Sequence, residues 1–246
     1  MIKYQKTKGL TDKQTHYCPG CTHGIIHKIV GEVLEELNLL DRAVGVASVG
    51  CSVFSYEYFN CDMQQAPHGR ACATATGIKR VLPDNPVFTY QGDGDLASIG
   101  IAETIHAANR GENITVIFVN NAIYGMTGGQ MAPTTLPGQV TTTSQQGRNP
   151  LIQGNPIPIS EIFGQIKGVA YMERVMMTSP QNYRKVKAAI KKAFNYQMQK
   201  KGFTMVEILS TCPVNWGMKP IDAMKWIETE MVKYFPLGVF KDQKDE

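Results

Sequence analysis

The chain has 246 residues, of which 43% are apolar and 19% charged; this composition excludes a disordered chain and favours one large domain with a substantial core. The net charge of +4, from 25 basic and 21 acidic residues, is too small to predict nucleic-acid binding. Since no apolar run approaches the ~20 residues of a membrane span and residues 1–15 lack the apolar core of a secretory signal, we expect a cytoplasmic protein without a membrane partner.

Helices and strands are predicted to alternate along most of the chain, because stretches with apolar residues at helical spacing are separated by short β-branched runs. The predicted helices cover residues 22–40, 69–81, 96–110, 179–201 and 220–235. The predicted strands cover residues 43–49, 87–91, 113–120 and 203–210. Residues 122–158 are rich in Gly, Pro, Thr and Gln, and an irregular stretch of that length is usually functional. The order predicts an α/β fold, a parallel sheet with helices on both faces.

Residues capable of binding or catalysis follow four of the predicted strands. These segments are residues 50–52 (Gly-Cys-Ser), 92–95 (Gly-Asp-Gly-Asp), 120–121 (Asn-Asn) and 211–212 (Thr-Cys). In open α/β sheets, ligands bind outside the carboxyl ends of the strands. Core packing does not explain four such segments, so we expect the functional site at this edge of the sheet.

The Gly-Asp-Gly-Asp segment has the features of a diphosphate-binding site. Glycines allow the backbone to approach a phosphate closely, and a helix N-terminus offers free N–H groups. Asp93 and, at the end of the next strand, Asn121 provide oxygen ligands of the kind that Mg²⁺ shares with phosphates. Either segment alone fits a simple turn, but their pairing on consecutive strands favours a magnesium–diphosphate site.

Six cysteines in a chain of this length, without an export signal, favour metal, cluster or redox chemistry over disulfides. The Cys18-Pro-Gly-Cys21 motif alone fits a redox pair, half of a zinc site or half of a cluster site. No strand is predicted to lead into it, and no second Cys-x-x-Cys follows. Together with Cys51 and Cys212, which follow strands, it supplies four thiolates, enough for a 4Fe–4S cluster.

The remaining cysteines and two histidines are interpreted differently. Cys61 is the rival for the fourth ligand position, whereas Cys72 lies among alanines and is expected to be a buried small residue. His23 and His27 share one helical face, but no glutamate follows the first histidine, so we interpret the pair as structural.

The Asp93 and Asn121 segments resemble the thiamine diphosphate motif, in which Gly-Asp-Gly is followed by Asn-Asn. The full set of motifs resembles the beta subunit of 2-oxoacid:ferredoxin oxidoreductases, from Cys18 to about Asn215. The motifs are Cys-Pro-Gly-Cys at 18–21, Gly-Cys-Ser at 50–52, His-Gly-Arg at 68–70, Gly-Asp-Gly-Asp at 92–95, Asn-Asn-x-x-Tyr-Gly-Met-Thr at 120–127, Pro-Thr-Thr at 133–135 and Cys-Pro at 212–213. Thiamine enzymes without a cluster lack these cysteines.

The resemblance implies a thiamine diphosphate-binding fold that holds thiamine diphosphate, Mg²⁺ and a 4Fe–4S cluster. The implied metal ligands are Asp93, Asn121 and the carbonyl group of Ile123 for magnesium, and Cys18, Cys21, Cys51 and Cys212 for the cluster. The residues implied to lie against thiamine diphosphate are Val49, Gly50, Cys51, Ser52, His68, Gly94, Asp95, Gly125 and Met126. As catalytic residues we expect His68, a proton or hydrogen-bond partner at the reacting centre, and Arg70, paired with a carboxylate or the diphosphate.

The implied reaction is the oxidative decarboxylation of a 2-oxoacid with coenzyme A to acyl-CoA, CO₂ and reduced ferredoxin. The glutamate that activates thiamine normally belongs to a separate pyrimidine-binding domain, for which this chain has no room. We therefore expect an alpha subunit to supply that domain, with gamma and ferredoxin-like delta subunits and ferredoxin as further partners. The expected organisation is an N-terminal arm (residues 1–17), a cofactor-binding domain (18–215) and a C-terminal helical extension (216–246).

One departure from the family bears on the substrate. Some relatives carry lysine after Tyr-Gly-x-Thr, near the substrate, where this chain has Gly128. Loss of this cation, together with the apolar residues Met126, Met131, Ala132 and Pro133, favours a branched-chain substrate such as 2-oxoisovalerate over the dicarboxylate 2-oxoglutarate.

Two other classes of protein stay open on the residues alone. A cluster-free thiamine decarboxylase-type subunit would not need four cysteines, and a zinc-stabilised binding module would ignore thiamine diphosphate. Metal analysis of anaerobically purified protein distinguishes all three.

Overall fold

A computed structural model describes residues 5–243, in which seven strands form one sheet. The strands are β1 (Val44–Ala47), β2 (Asp62–Gln65), β3 (Val87–Gly92), β4 (Thr115–Asn120), β5 (Val169–Met176), β6 (Phe203–Leu209) and β7 (Gly238–Asp242). Their order across the sheet is β2-β1-β3-β4-β6-β5-β7. Neighbouring strands are parallel, except that β7 pairs antiparallel with β5 at one edge. The predicted α/β fold is confirmed, with one antiparallel edge strand that was not expected.

Helices cover both faces of the sheet. They are α1 (His23–Glu36), α2 (Ser55–Tyr58), α3 (Ala71–Val81), α4 (Ile101–Asn109), α5 (Pro150–Gln153), α6 (Ile159–Gly164), α7 (Pro180–Met198), α8 (Pro213–Trp216), α9 (Pro220–Trp226) and α10 (Val232–Tyr234). A 3₁₀ turn lies at Leu40–Arg42, and π turns lie at Asp95–Ile99 and Ile227–Met231. Helices α1 and α7 pack together on one face, and α3 and α4 pack together on the other.

Strand β4 shows how the sheet is held between the two helical layers. Its residues Ile117 and Val119 join the apolar cluster formed with α1 and α7. Val116 and Phe118 point to the opposite face and join the cluster formed with α3 and α4. Each of the four is at most 1% exposed, and burial of a side chain of this size contributes about 1.5–3 kcal/mol. A strand buried on both faces appears in the sequence as a continuous apolar run.

The sequence pattern does not predict β2, β5 and β7. Strand β5 contains Glu173 and Arg174, whose charges interrupt its apolar run. Arg174 is nevertheless fully buried, because it pairs with Glu207 on β6 and Glu161 on α6. A hydrophobicity pattern does not show such an ion pair. Strand β2, with the sequence Asp-Met-Gln-Gln, is largely exposed at the other edge of the sheet.

The helix predicted over residues 96–110 is interrupted at Gly100, between the π turn and α4. A Cβ atom at Gly100 would lie 2.5 Å from the carbonyl oxygen of Asp95 and 2.8 Å from backbone atoms of Gly69. Close packing of these two backbone segments therefore requires glycine at the break. The interruption lies directly beside the Gly-Asp-Gly-Asp segment, and π turns of this kind often occur at functional sites.

The two ends of the described chain pack against the rest of the protein. Thr7 donates its hydroxyl hydrogen to Glu35 of α1 at 2.7 Å, and Leu10 forms a β-bridge with Phe59. The C-terminal segment adds β7 to the sheet and is therefore not purely helical. Residues 1–4 of the predicted arm and 244–246 of the predicted extension lie outside the described residues. Within residues 5–243, no helix combines the length and apolar character needed to cross a membrane.

Candidate active site

Strands β1, β3, β4 and β6 are neighbours in the sheet, and a cavity of about 410 Å³ lies where the first three of them end. Its lining residues are His23, Val49, Gly50, Cys51, Ser52, Val53, His68, Gly92, Asp93, Gly94, Asp95, Asn121, Ile123, Tyr124, Gly125, Met126 and Thr127. The set includes every residue that the sequence analysis placed against thiamine diphosphate, and all three expected magnesium ligands. Sheet topology brings them together, since they follow neighbouring parallel strands.

Asp93 is buried in this cavity, and three hydrogen bonds hold its carboxylate. The Thr134 hydroxyl donates to Oδ2 at 2.8 Å, and the backbone N–H groups of Gly94 and Ile123 donate at 2.8 and 3.2 Å. Burial raises the pKa of Asp93 to about 6, while these hydrogen bonds act in the opposite direction. A cation bound at the carboxylate would offset the cost of burying its charge.

The Asn121 amide lies next to this carboxylate. One of its terminal atoms is 2.7 Å from the carbonyl oxygen of Ile123 and 3.3 Å from Asp93 Oδ2. The Asn121 amide can be oriented in two ways. If its nitrogen is the atom at these distances, it donates to Ile123 O and Asp93 Oδ2; if its oxygen is, three oxygen atoms lie close together and can bind a cation. Adjacent ligands of octahedral Mg²⁺ are about 2.9 Å apart, given Mg–O distances of about 2.0–2.1 Å. These donors therefore fit a magnesium ion, and the left-handed turn at Ala122 (φ 57°) brings Ile123 back towards Asn121.

His68 lies at the cavity with one ring nitrogen already engaged. Its Nδ1 is 2.7 Å from Asp95 Oδ1, which also accepts the backbone N–H of Gly69 at 2.7 Å. Gln91 donates to the second carboxylate oxygen of Asp95 at 2.7 Å, so this buried acid is held from both sides. A carboxylate accepts only from a protonated nitrogen. Asp95 therefore fixes the tautomer of His68 and leaves its Nε2 for a group in the cavity.

Arg70, the other expected catalytic residue, does not line the cavity. Its NH1 lies 3.0 Å from Glu103 Oε1 on α4 and donates to the carbonyl oxygen of Ile99 at 3.2 Å. The Arg70 side chain is 44% exposed, so this is a partly exposed ion pair between neighbouring helices. Of the two expected catalytic residues, His68 lines the cavity and Arg70 does not; Arg70 contacts α4 instead.

A second, smaller cavity of about 160 Å³ is lined by Cys18, Cys21, Cys51 and Cys212. Hydrogen bonds tie the Cys-x-x-Cys segment to the segment that follows β6. The hydroxyls of Thr22 and Ser210 are 2.6 Å apart, and the Thr211 hydroxyl donates to the carbonyl oxygen of Gly20 at 2.7 Å. Two segments about 190 residues apart in the chain thus meet at one cavity.

The thiols lie close enough to influence one another. The pKa values of Cys21 and Cys51 are raised to about 12, mainly by burial and in part by the charges of the neighbouring cysteines. Within residues 5–243, no group of three or more His, Cys, Asp or Glu side chains is arranged to hold a single metal ion. The four cysteines line one cavity, and a cavity lined by thiols is a setting that could hold a cluster, whose iron and sulfide atoms fill the space between the cysteine ligands.

The remaining cysteines lie elsewhere. Cys61 lies beside β2, with its sulfur 3.8 Å from that of Met63, and lines a separate surface pocket. Cys72 is 1% exposed, as expected of a buried small residue, and its thiol donates to Gln91 Oε1 at 3.3 Å. The geometry therefore favours Cys212 over Cys61 as the fourth thiol.

His23 lines both cavities, a position that the sequence pattern did not reveal. Its Nδ1 is 2.9 Å from the Tyr90 hydroxyl, and its ring stacks on Tyr17 with centroids 4.9 Å apart. Burial lowers the pKa of His23 to about 4, so the ring is neutral near pH 7. His27 bonds the Tyr17 hydroxyl at 2.7 Å and has the structural role that we expected. The available signal for His23 was its position two residues after Cys21.

Two further contacts were also missed. Tyr124 lines the cavity, and a Cβ atom at Gly94 would lie 2.8 Å from its ring, so glycine is required for this approach. Thr134 holds Asp93, as described above. Both residues lie within motifs that carried the family resemblance, which was the signal available for them.

Comparison with known proteins agrees with this geometry. Residues 48–208 match the family described as "Thiamine pyrophosphate enzyme, C-terminal TPP binding domain". Over 243 residues the chain is 48% identical to ketoisovalerate oxidoreductase subunit VorA of Methanothermobacter thermautotrophicus, covering 99% of this chain and 51% of that protein. It is 36% identical to 2-oxoglutarate synthase subunit KorB of Methanocaldococcus jannaschii, covering 100% of this chain and 86% of that protein. The chain thus spans about half the length of the VorA relatives and most of the length of this KorB relative.

A solved structure also matches along the whole chain. It is a 2-oxoglutarate:ferredoxin oxidoreductase from Magnetococcus marinus with 2-oxoglutarate, coenzyme A and succinyl-CoA bound, with a TM-score of 0.78 and 25% identity. The match covers 100% of this chain and 87% of that chain. The chain therefore belongs to the thiamine pyrophosphate enzyme family and, within it, to the 2-oxoacid oxidoreductase subunits.

Proposed function

We propose that this chain is the beta-type subunit of a 2-oxoacid:ferredoxin oxidoreductase, which converts a 2-oxoacid and coenzyme A to acyl-CoA, CO₂ and reduced ferredoxin. The observation that carries the proposal is that the two cavities share a wall. The residues that line both are His23, Cys51, Asn121, Gly125 and Met126. A thiol-lined cavity beside a diphosphate-type cavity would give electrons a short path from an organic cofactor in one to a cluster in the other.

Each cavity would bind its own metal group. Asp93, Asn121 and the Ile123 carbonyl would hold Mg²⁺ against the diphosphate, and the four cysteines of the smaller cavity would hold a 4Fe–4S cluster. When bound, thiamine diphosphate supplies carbanion stabilisation for decarboxylation, and the cluster accepts electrons one at a time. The chain would hold the two groups side by side, since Cys51 and Gly125 line both cavities.

His68 is the residue that would handle a proton or hydrogen bond at the reacting centre. Asp95 holds its Nδ1–H, so Nε2 accepts a hydrogen bond or a proton when the ring is neutral. His68 therefore has the geometry of a general base oriented by an acid. Arg70, paired with Glu103, would act at most on the surface around the site.

Partner subunits are part of the proposal. An alpha-type subunit would supply the pyrimidine-binding domain and its activating glutamate, and gamma and ferredoxin-like delta subunits would extend the electron path to ferredoxin. The proposed organisation of the chain is an N-terminal arm (residues 1–17), a cofactor-binding domain (18–215) and a C-terminal extension (216–246). Reduced thiols are needed for cluster assembly, so the proposed location is the cytoplasm.

The proposed substrate is 2-oxoisovalerate, with 2-oxoglutarate as the alternative. Similarity to the VorA proteins and the glycine at position 128 support the branched-chain substrate. Of the apolar residues cited for this preference, Met126 lines the cavity, whereas Met131, Ala132 and Pro133 do not.

Gly128 offers a direct test of substrate choice. Its φ of 108° strains any other residue, and a Cβ atom there would meet no atom within 4 Å. Gly128→Lys and Gly128→Ala therefore share the backbone strain, and the lysine variant alone adds a cation. In the assembled enzyme, we expect Gly128→Lys to raise kcat/KM for 2-oxoglutarate relative to 2-oxoisovalerate, compared with Gly128→Ala. Equal substrate ratios in the two variants would contradict a role for this position.

The overall reaction is tested by reconstitution. We expect the chain alone, with its cluster, Mg²⁺, thiamine diphosphate and coenzyme A, not to reduce viologen dyes with any 2-oxoacid. Addition of an alpha-type subunit should restore 2-oxoisovalerate-dependent reduction. Turnover by the chain alone would contradict the need for a partner, and an inactive complex with full cofactor content would contradict the proposed reaction.

A further inference from the structure

We infer that Asn215 is a positioning residue that links cluster ligand Cys212 to the cofactor loop at Gly125, and so sets the reduction potential of the cluster; this rests on the proposed function. The Asn215 side-chain nitrogen lies 3.2 Å from Cys212 Sγ and 3.0 Å from the carbonyl oxygen of Gly125. An amide NH₂ has two hydrogens, so it can donate to both acceptors at once.

The local backbone places Asn215 for this role. Helix α8 begins directly after Cys212 with Pro213 in its first position, so Asn215 comes one turn after the cysteine and faces it. The Cys212 sulfur therefore accepts a hydrogen bond from a side chain on the adjoining turn of the chain.

On the other side of the contact, the cofactor loop passes close to the same sulfur atoms and to the Asn215 side chain. A Cβ atom at Gly125 would lie 3.1 Å from Cys51 Sγ, 3.4 Å from Cys212 Sγ and 3.7 Å from Asn215 Nδ2. A Cβ atom at Gly129 would lie 3.0 Å from Asn215 Oδ1. The Asn215 amide is thus packed between the loop and the sulfur, and its orientation is fixed from both sides.

The expected consequence is electrostatic. An N–H group directed at a ligand sulfur stabilises the extra negative charge that a cluster carries when it is reduced, which raises the reduction potential. Removal of the side-chain donor should make the cluster harder to reduce. It should also release the carbonyl group of Gly125 and loosen the loop that lies against the cofactor cavity.

The test is an anaerobic redox titration of the cluster-loaded chain, followed by electron paramagnetic resonance. Asn215→Leu removes the donor at similar size, Asn215→Ala removes it without adding bulk or charge, and Ile221→Ala is the control. Ile221 lies on α9 outside both cavities and is 68% exposed. We expect the two Asn215 variants to lower the equilibrium constant for reduction by three- to tenfold, where tenfold corresponds to about 59 mV for one electron. Ile221→Ala should match the wild type.

Iron content separates the possible outcomes. Lowered potentials in the Asn215 variants with wild-type iron content support the inference, and Asn215→Ala provides the result if Asn215→Leu assembles no cluster. Unchanged potentials with full iron content overturn it and leave the proposed function intact. A wild-type chain that takes up no cluster overturns both.

Discussion

The larger cavity contains the oxygen donors Asp93, Asn121 and Ile123 (the oxygen side), and the smaller cavity is lined by four cysteines (the thiol side); they share a wall but are built in different ways. On the oxygen side the donors follow adjacent strands: Asp93 follows β3 and Asn121 follows β4, and the two are 4% and 6% exposed. Hydrogen bonds from the loops around them fix Asp93. The thiol side gathers cysteines from three separate segments, and Cys18 is exposed.

This difference indicates how each site depends on its ligand. The Asn121 amide lies 2.7 Å from the Ile123 carbonyl oxygen and 3.3 Å from Asp93 Oδ2, so magnesium would enter a site whose donors are already close together. The cysteines come from three segments, two of which are already joined by the Thr22–Ser210 and Thr211–Gly20 hydrogen bonds, and a cluster would add further links between the segments. Variants that remove a donor from one side should therefore affect the two cofactors separately.

The largest effect is expected for Asp93→Ala. Loss of even an outer partner of a metal site costs about 10–100-fold in affinity, so loss of a direct ligand should weaken magnesium-dependent thiamine diphosphate binding by about 100-fold or more. Isothermal titration calorimetry at limiting Mg²⁺ measures this, with Asp62→Ala on the exposed β2 as the control. Iron content should not change. Wild-type cofactor affinity in Asp93→Ala would rule out this residue as the metal ligand.

For a variant on the thiol side, we expect the opposite pattern, with iron lost and thiamine diphosphate binding kept. Cys212→Ser should lose most of its cluster iron and keep thiamine diphosphate binding, because the oxygen donors are held without it. Cys61→Ser is the matched control and should keep its iron, since Cys61 lines a different pocket. Iron per chain and absorbance near 400 nm report the result. Full iron in Cys212→Ser together with loss in Cys61→Ser would show that Cys61 is the fourth ligand.

A smaller effect on cofactor binding is expected from the buried ion pair next to Asn120 and Asn121. Glu207 accepts from Arg174 Nε at 2.8 Å and from the Asn120 side chain at 2.8 Å, next to Asn121. Arg174→Met would leave Glu207 buried and unpaired, at a cost of about 3–5 kcal/mol in the free energy of unfolding. Magnesium-dependent cofactor binding should weaken severalfold while iron content stays constant. The control is Lys233→Met, which breaks an exposed ion pair with Glu230.

Denaturant unfolding and calorimetry check this prediction. If Arg174→Met changed iron content but not cofactor affinity, the ion pair would support the thiol side instead, and the separation of the two sites would fail. A loss of stability in Lys233→Met as large as in Arg174→Met would show that burial of the pair is irrelevant, since exposed pairs contribute at most about 1 kcal/mol.

Sequence patterns were most informative where the geometry is local to the sheet. Apolar runs predicted β3 and β4, and the order of parallel strands then placed Asp93 beside Asn121. They were less informative where a partner comes from elsewhere in the chain. Arg70 points away from the cavity because it pairs with Glu103 of α4. Strand β5 is not predicted because its buried Arg174 is neutralised by acidic residues on other elements.

The central claim, that one chain places a cluster beside thiamine diphosphate, is tested most directly by composition. The measurement is iron, acid-labile sulfide, zinc, magnesium and thiamine diphosphate per chain after anaerobic reconstitution. We predict about four iron and four sulfide atoms, together with one thiamine diphosphate and one magnesium ion. One zinc ion per chain, with neither sulfide nor thiamine diphosphate, would contradict the account.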